Sequence, residues 1–158
     1  MKTTDSLADY MHGHRIEAEF LLLPSGTRTV AQAAAALEVA PEQIVKSLLF
    51  YVKSSPVLVI ASGTGRVDTA RLAAYFGLTS REVRLATAEE VLQITGFEIG
   101  SVPPIGHDPG LHTLLDPAVL AYDAVYAGGG APDHLVRISP EIIVQDRRAQ
   151  VVDLQSVL

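Results

Sequence analysis

The first regular pattern is helical. Leu7, Tyr10, Met11 and His14 fall on one face and predict a helix over about residues 5–17. The period then shortens: Ala18–Leu23 reads as a strand, stopped by Pro24-Ser25-Gly26. Thr29-Val30-Ala31-Gln32 is a capping box that opens an alanine-rich helix to Leu37, and Pro41 suits the first turn of a short helix, with Glu42 near its positive end. Ser47–Val52 and Pro56–Ser62 predict paired strands. Asp68 caps a helix through Phe76 that Gly77 terminates, and Thr87-Ala88-Glu89-Glu90 is a second capping box, its helix stopped at Thr95-Gly96. Glu82–Leu85 is a weaker strand. Strand candidates return at Leu111–Leu115, Asp123–Ala127, His134–Ile138 and Val151–Leu154, with Ser139-Pro140-Glu141 opening a short helix. Helices and strands interleave irregularly, and several strands follow one another directly. This order predicts a mixed sheet wrapped by helices, an α/β protein of the α+β type.

Composition narrows the class. The 158 residues fit one domain, 1–158, and a 48% hydrophobic content with 19% charged residues excludes a disordered chain. No apolar run approaches the roughly 18 residues of a membrane span, and the N-terminus resembles neither a signal nor a transit peptide. The chain has no cysteine, so thiol catalysis and thiolate metal sites are excluded; this is compatible with the cytoplasm, where we expect it. A net charge of −6 argues against indiscriminate nucleic-acid binding, though a local site can still grip the end of an RNA.

Common catalytic signatures are missing: there is no nucleophile elbow, Walker loop or complete dinucleotide fingerprint. Gly63-Thr64-Gly65 begins like the last but reads better as a strand-ending turn. His107, Asp108, His112 and Asp116 lack a ligand pair on one helical face, so we expect a polar loop there, with Asp116 capping the turn before Pro117, and no metal.

Two features stand out against this background. Lys46 sits in the apolar run Ile44-Val45-Lys46-Ser47-Leu48-Leu49-Phe50, where a helix gives way to a strand. Lysine is rarely buried without a partner; either its stem reaches the surface or it meets an anion in a cleft, and its apolar neighbours favour the cleft. The second feature is Thr95 to His107, dense in Gly and Pro. Glycines admit close backbone approach, and Pro103-Pro104 stiffen the loop while removing two donors. Free amides on Gly100, Ser101 and Val102 would then form a nest or oxyanion hole, with Gly128-Gly129-Gly130 as a further bare wall.

These pieces together resemble the YbaK/ProX family, freestanding relatives of the editing domain of bacterial prolyl-tRNA synthetases. The matching residues are Thr27-Arg28-Thr29, Gln43 to Leu48, Ser62-Gly63, Thr95-Gly96-Phe97 through Gly106-His107, and Gly128-Gly129-Gly130. The lysine with Gly100 to Pro104 in a G-x-x-x-P element is specific to that family. The resemblance implies a barrel-like mixed sheet, no metal or other cofactor, and hydrolysis of the ester that joins a wrong amino acid to tRNA, usually tRNA for proline. It implies that Lys46 positions the terminal adenosine or its phosphate, and that Gly100 handles the scissile ester through its backbone with Ser101 beside it. Substrate contacts are implied at Thr27, Arg28, Ser47, Ser62, Gly63, Phe97, Val102, Pro104, Gly106, His107, Gly129 and Gly130. His107 either touches substrate or braces the loop, and both stay open. The expected partners are the aminoacylated acceptor end of tRNA and, as a candidate, prolyl-tRNA synthetase.

Two departures bear on specificity. Ser47 follows the lysine where many relatives have Thr or Asn, and the loop differs from that of cysteine-specific members. The inclination is to a small amino acid such as alanine, with cysteine next. Two other functions compete: a non-catalytic module that binds aminoacyl-tRNA or a nucleotide, and an interaction protein that docks on a synthetase.

Overall fold

The computed structural model describes residues 1–24, 27 and 29–156. Helix α1 (Thr4–Gly13) starts at Thr3, whose side chain and that of Ser6 form a capping box, and it buries Leu7 and Met11. It ends four residues before the predicted limit. Arg15 turns into the left-handed region at φ 54° and Ile16 N–H returns to Met11 O, so the chain leaves the helix axis there. Strand β1 (Ala18–Leu22) follows, then α2 (Val30–Leu37), where Thr29 Oγ1 accepts from Gln32 N–H as the capping pattern requires. A 3-10 turn over Pro41–Gln43 leads into the hairpin of β2 (Val45–Val52) and β3 (Ser55–Ser62), paired antiparallel from Val45↔Ser62 to Val52↔Ser55.

Beyond the hairpin come β4 (Arg66–Val67), α3 (Thr69–Tyr75) capped by Asp68, β5 (Val83–Leu85), and α4 (Ala88–Thr95) capped by Thr87 and closed by Gly96. The Gly/Pro-rich loop then leads to β6 (His112–Leu115) and a 3-10 turn over Pro117–Ala121. The chain finishes with β7 (Val125–Gly128), β8 (His134–Ile138), α5 (Pro140–Arg147), β9 (Gln150–Val151) and β10 (Gln155–Ser156).

Among the described residues the strands form three sheets, in the orders β5-β2-β3-β6-β9, β1-β8-β7 and β10-β4. In the five-stranded sheet β6 runs parallel to β3 and β9 parallel to β6, while β2 is antiparallel to both neighbours. The sheet is mixed, as expected. The barrel is not closed among the described residues: the five- and three-stranded sheets share one bridge, Ile44 with Tyr126, and part beyond it.

Val57–Ala61 is almost wholly buried because β3 lies at the centre with both faces covered, which explains its unbroken apolar run. Leu58 and Ile60 face a core shared with Leu7, Met11, Val125, Val136, Ile138 and Ile143. Val57, Val59 and Ala61 face Leu72 and Ala73 of α3 and Leu154. The sheets therefore sandwich one core, and their parting leaves a gap along β2.

Candidate active site

That gap is a hollow of about 250 Å³. Its floor is β2 from Val45 to Leu49. Its walls are Leu23, Thr27, Val30 and Ala33 on one side, Leu85, Ala86 and Val91 on another, with Ile99, Gly100, Val102, Gly128 and Leu135 opposite. Most of these side chains are apolar, so the few polar groups that reach the hollow dictate its chemistry.

Strand β2 contributes an open edge. Strand β5 pairs only with Phe50–Val52, and Ala86 N–H donates to Leu49 O at 2.9 Å. Alternation along the strand then turns the backbone N–H and C=O of Ser47 to the same edge, on the stretch that no described strand covers. Side chains alternate as well. Val45 and Leu49 point into the inner core, and so does Ser47, whose buried Oγ has no hydrogen-bond partner among the described residues. Lys46 leaves on the opposite face. Its Nζ donates to Gly65 O at 3.0 Å, and no carboxylate pairs with it among the described residues. Burial, then the nearby Arg66 guanidinium, lower its pKa. A half-buried ammonium with only a carbonyl partner is suited to take an anion.

The loop after α4 contributes amides. Gly100 is exposed and has φ +86°, a conformation that strains any L side chain, and space is open where a Cβ would lie. Neither its N–H nor that of Val102 has a hydrogen-bond partner among the described residues. Ser101 differs from the expectation: its N–H donates to Glu98 O at 3.0 Å, closing a turn, and the residue is buried away from the hollow. The nest therefore has two free donors, on either side of Ser101.

Several other expected contacts also stand outside the hollow. The backbone of Ser62 is gripped at N–H and C=O by the Gln155 amide, and Gly63 N–H donates to Ile44 O. Phe97 is buried, its ring meeting His107 edge-on at 6.1 Å. Pro104 is buried with it, and Gly106 N–H is taken by Asp146 Oδ2 at 3.2 Å. Gly129 and Gly130 use their N–H groups on His134 O and Ser101 O; it is Gly128 that borders the hollow. A side chain at Gly128 would drive into the Ser101–Val102 backbone, so the turn packs directly on the loop. Arg28 lies outside the described residues.

His107 is the clearest case. It is 5% exposed and does not border the hollow; its Nε2–H donates to Pro103 O at 2.7 Å. Burial, reinforced by Arg147 and Lys2, lowers its pKa to about 4, leaving a neutral ring. This is a brace. Buried Arg147 completes it, donating to His107 O, Asp108 O, Leu111 O and Thr113 Oγ1. Asp108 meanwhile accepts from Gly110 N–H, His112 from or to Gln150, and Asp116 from Ala118, Leu154 and Gln155 N–H. Among the described residues no three His, Asp or Glu side chains gather as metal ligands.

Sequence reasoning missed Leu23, Val30, Ala33, Leu85, Ile99 and Leu135 as wall residues. They are ordinary apolar residues from separate elements, and only the tertiary fold gathers them.

Comparison with known proteins settles the family. A profile of the aminoacyl-tRNA editing domain matches residues 24–145. The chain belongs to the aminoacyl-tRNA editing domain family. The YbaK/ProX resemblance read from Lys46 and the G-x-x-x-P element is thereby borne out. A crystal structure of a candidate trans-editing enzyme for prolyl tRNA synthetase superposes with TM-score 0.86 and 36% identity, covering 97% of this chain and 96% of that one. The uncharacterised protein YwhH of Bacillus subtilis is 32% identical over 74% of this chain and 73% of its own length. The proline–tRNA ligase of Geobacillus sp. is 33% identical over 73% of this chain, which spans only 20% of the ligase. This editing domain is thus related to those of prolyl-tRNA synthetases. Among the described residues, no helix is long and apolar enough to cross a membrane.

Proposed function

We propose that this protein hydrolyses, in trans, the ester joining a wrongly attached small amino acid to tRNA, with tRNA for proline as the main substrate. The observation that carries the reading is the common hollow: Lys46 borders it at the floor, and Gly100 and Val102, whose amides have no partner among the described residues, line its wall. Membership of the editing family and the likeness to a candidate trans-editing enzyme support it.

An aminoacyl ester is already activated, so positioning and oxyanion stabilisation suffice. Water adds to the ester carbonyl, the oxygen that becomes negative is met by the Gly100 and Val102 amides, and collapse expels the ribose oxygen. That oxygen takes up the proton the water gives up, a substrate hydroxyl assisting the transfer. Lys46 holds the terminal adenosine or its phosphate. Apolar walls accept a small side chain, and proline is excluded by shape, because one methylene alone discriminates by only about 1–3 kcal/mol. The reaction belongs in the cytoplasm with translation, and the synthetase is a candidate partner.

The test is deacylation of tRNA for proline charged with alanine, cysteine, serine or threonine. Alanine should be released fastest, without sensitivity to chelators, and Lys46→Ala should slow release by roughly 100-fold. Unchanged turnover in that variant removes Lys46 from the mechanism. Saturable binding of a nonhydrolysable aminoacyl-adenosine mimic without release of any amino acid makes the protein a binding module instead.

A further inference from the structure

The two free amides flank Ser101, between the turn it closes on Glu98 O and the stiff Pro103-Pro104 segment, and contacts from outside the loop bear on them as well. Two of these contacts come from the chain's first four positions, ahead of the segment matched by the family profile. Lys2 N–H donates to Gly96 O at 2.6 Å, where α4 ends and the loop begins. The Lys2 stem lies over Gly96, so close that a Cβ there would meet Lys2 Cγ at 2.9 Å, and its Nζ stands 5.9 Å from the centre of the Phe97 ring. Thr4 Oγ1 donates to Gly129 O at 2.9 Å. The next residue, Gly130, donates its N–H to Ser101 O at 3.0 Å. Ser101 is the residue between the two unpaired amides.

We propose that Lys2 and Thr4 form a two-point clamp that positions the Gly100 and Val102 amides for the ester. Lys2 fixes the start of the loop through Gly96. Thr4 fixes the stretch that carries the amides through the Gly128–Gly130 turn, which packs on the Ser101–Val102 backbone. Neither side chain touches the hollow, so both are positioning residues. The clamp rests on the reading of those amides as the oxyanion donors. It predicts a defect in turnover, since misaimed donors weaken the transition state while leaving the floor and walls that bind the ground state intact.

Thr4→Val removes the donor at nearly constant shape, and Thr4→Ser restores it. Release of alanine from tRNA should fall roughly five- to tenfold in kcat for Thr4→Val, the worth of one neutral hydrogen bond, with KM unchanged and activity recovered in Thr4→Ser. Val59→Ala, on the far face of β3, controls for a general loss of stability and should leave turnover per folded molecule unchanged. Unchanged kcat in Thr4→Val, or an equal fall in Val59→Ala, overturns the clamp. Backbone nitrogen relaxation gives a readout that needs no activity: order parameters at Gly100 and Val102 should drop in Thr4→Val and recover in Thr4→Ser, and unchanged values overturn the clamp. If the wild-type protein releases no amino acid, the functional reading fails, while relaxation still decides the clamp.

Discussion

The two halves of the Gly/Pro-rich loop differ in what becomes of their polar groups. From Gly100 to Val102, two of three amides keep no partner among the described residues, and Gly100 is exposed at the rim of the hollow. From Pro103 to Leu111 several groups are tied down: Pro103 O by His107, Gly106 N–H by Asp146, and the His107, Asp108 and Leu111 carbonyls by Arg147, while His107 Nδ1 stays buried without a partner among the described residues. Asp146 also accepts the Tyr10 hydroxyl at 2.5 Å; burial, and then this bond, raise the Tyr10 pKa to about 12. The first half keeps two donors available, and the second ties the carbonyls of Pro103, His107, Asp108 and Leu111 into the fold. A buried polar group left unpaired is costly, so the Val102 amide marks where a ligand is expected, with the exposed Gly100 amide beside it, and the satisfied carbonyls mark where stability is stored.

The sharpest way to separate the halves is Arg147→Met. Removing the guanidinium leaves the buried His107 carbonyl without a donor and Leu111 O with only the Thr113 hydroxyl, and should cost about 3–5 kcal/mol of stability, read from denaturant unfolding. Turnover per folded molecule should change far less than stability. A collapse of turnover with stability intact would put Arg147 in the chemistry and erase the contrast.

His107 gives the next largest effect, and its sign is fixed by the direction of its shift. Its folded pKa of about 4 lies below the ordinary 6.5, so between those values the unfolded chain binds more protons. The stabilisation is complete above pH 6.5 and is lost as the pH falls towards 4, amounting to about 3 kcal/mol. His107→Gln, which keeps a donor for Pro103 O, should lose that part of the pH dependence. A variant whose stability falls with pH as steeply as the wild type contradicts the brace.

Gly100→Ala should do the reverse of Arg147→Met at a smaller scale. Space is open for the methyl group, so stability should fall only by the roughly 1–2 kcal/mol of a left-handed alanine. Relief of that strain turns the amide, and ester hydrolysis should drop roughly tenfold or more. Full activity would show that the Gly100 amide is not a donor to the reaction.

The contrast also shows what the sequence made legible. Capping by Thr29 with Gln32, by Asp68 and by Thr87 with Glu90 was readable because each cap uses residues two or three positions apart. The β4–β10 pair was not: each strand has two residues, and Val67 meets Gln155 from the other end of the chain. The same holds at the site. Lys46 in an apolar run and the dense glycines near Gly100 announced themselves locally. Which amides stay free depends on Glu98 O closing on Ser101, and the bracing half depends on Asp146 and Arg147 of α5, which no nearby spacing reveals. Ser62, Gly106, His107 and Gly130, read from the sequence as substrate contacts, stand outside the hollow with polar groups bonded within the fold.

The central claim is that the lysine on the floor and the two amides on the wall serve one bound aminoacyl end. The most direct measurement is an NMR titration with an aminoacyl-adenosine whose ester is replaced by an amide. Backbone signals of Gly100 and Val102 and the Lys46 ammonium should shift together along one saturation curve, with Ser101 and His107 moving little. Shifts confined to other surfaces, or a curve for Lys46 that saturates apart from that of Gly100, would contradict the account.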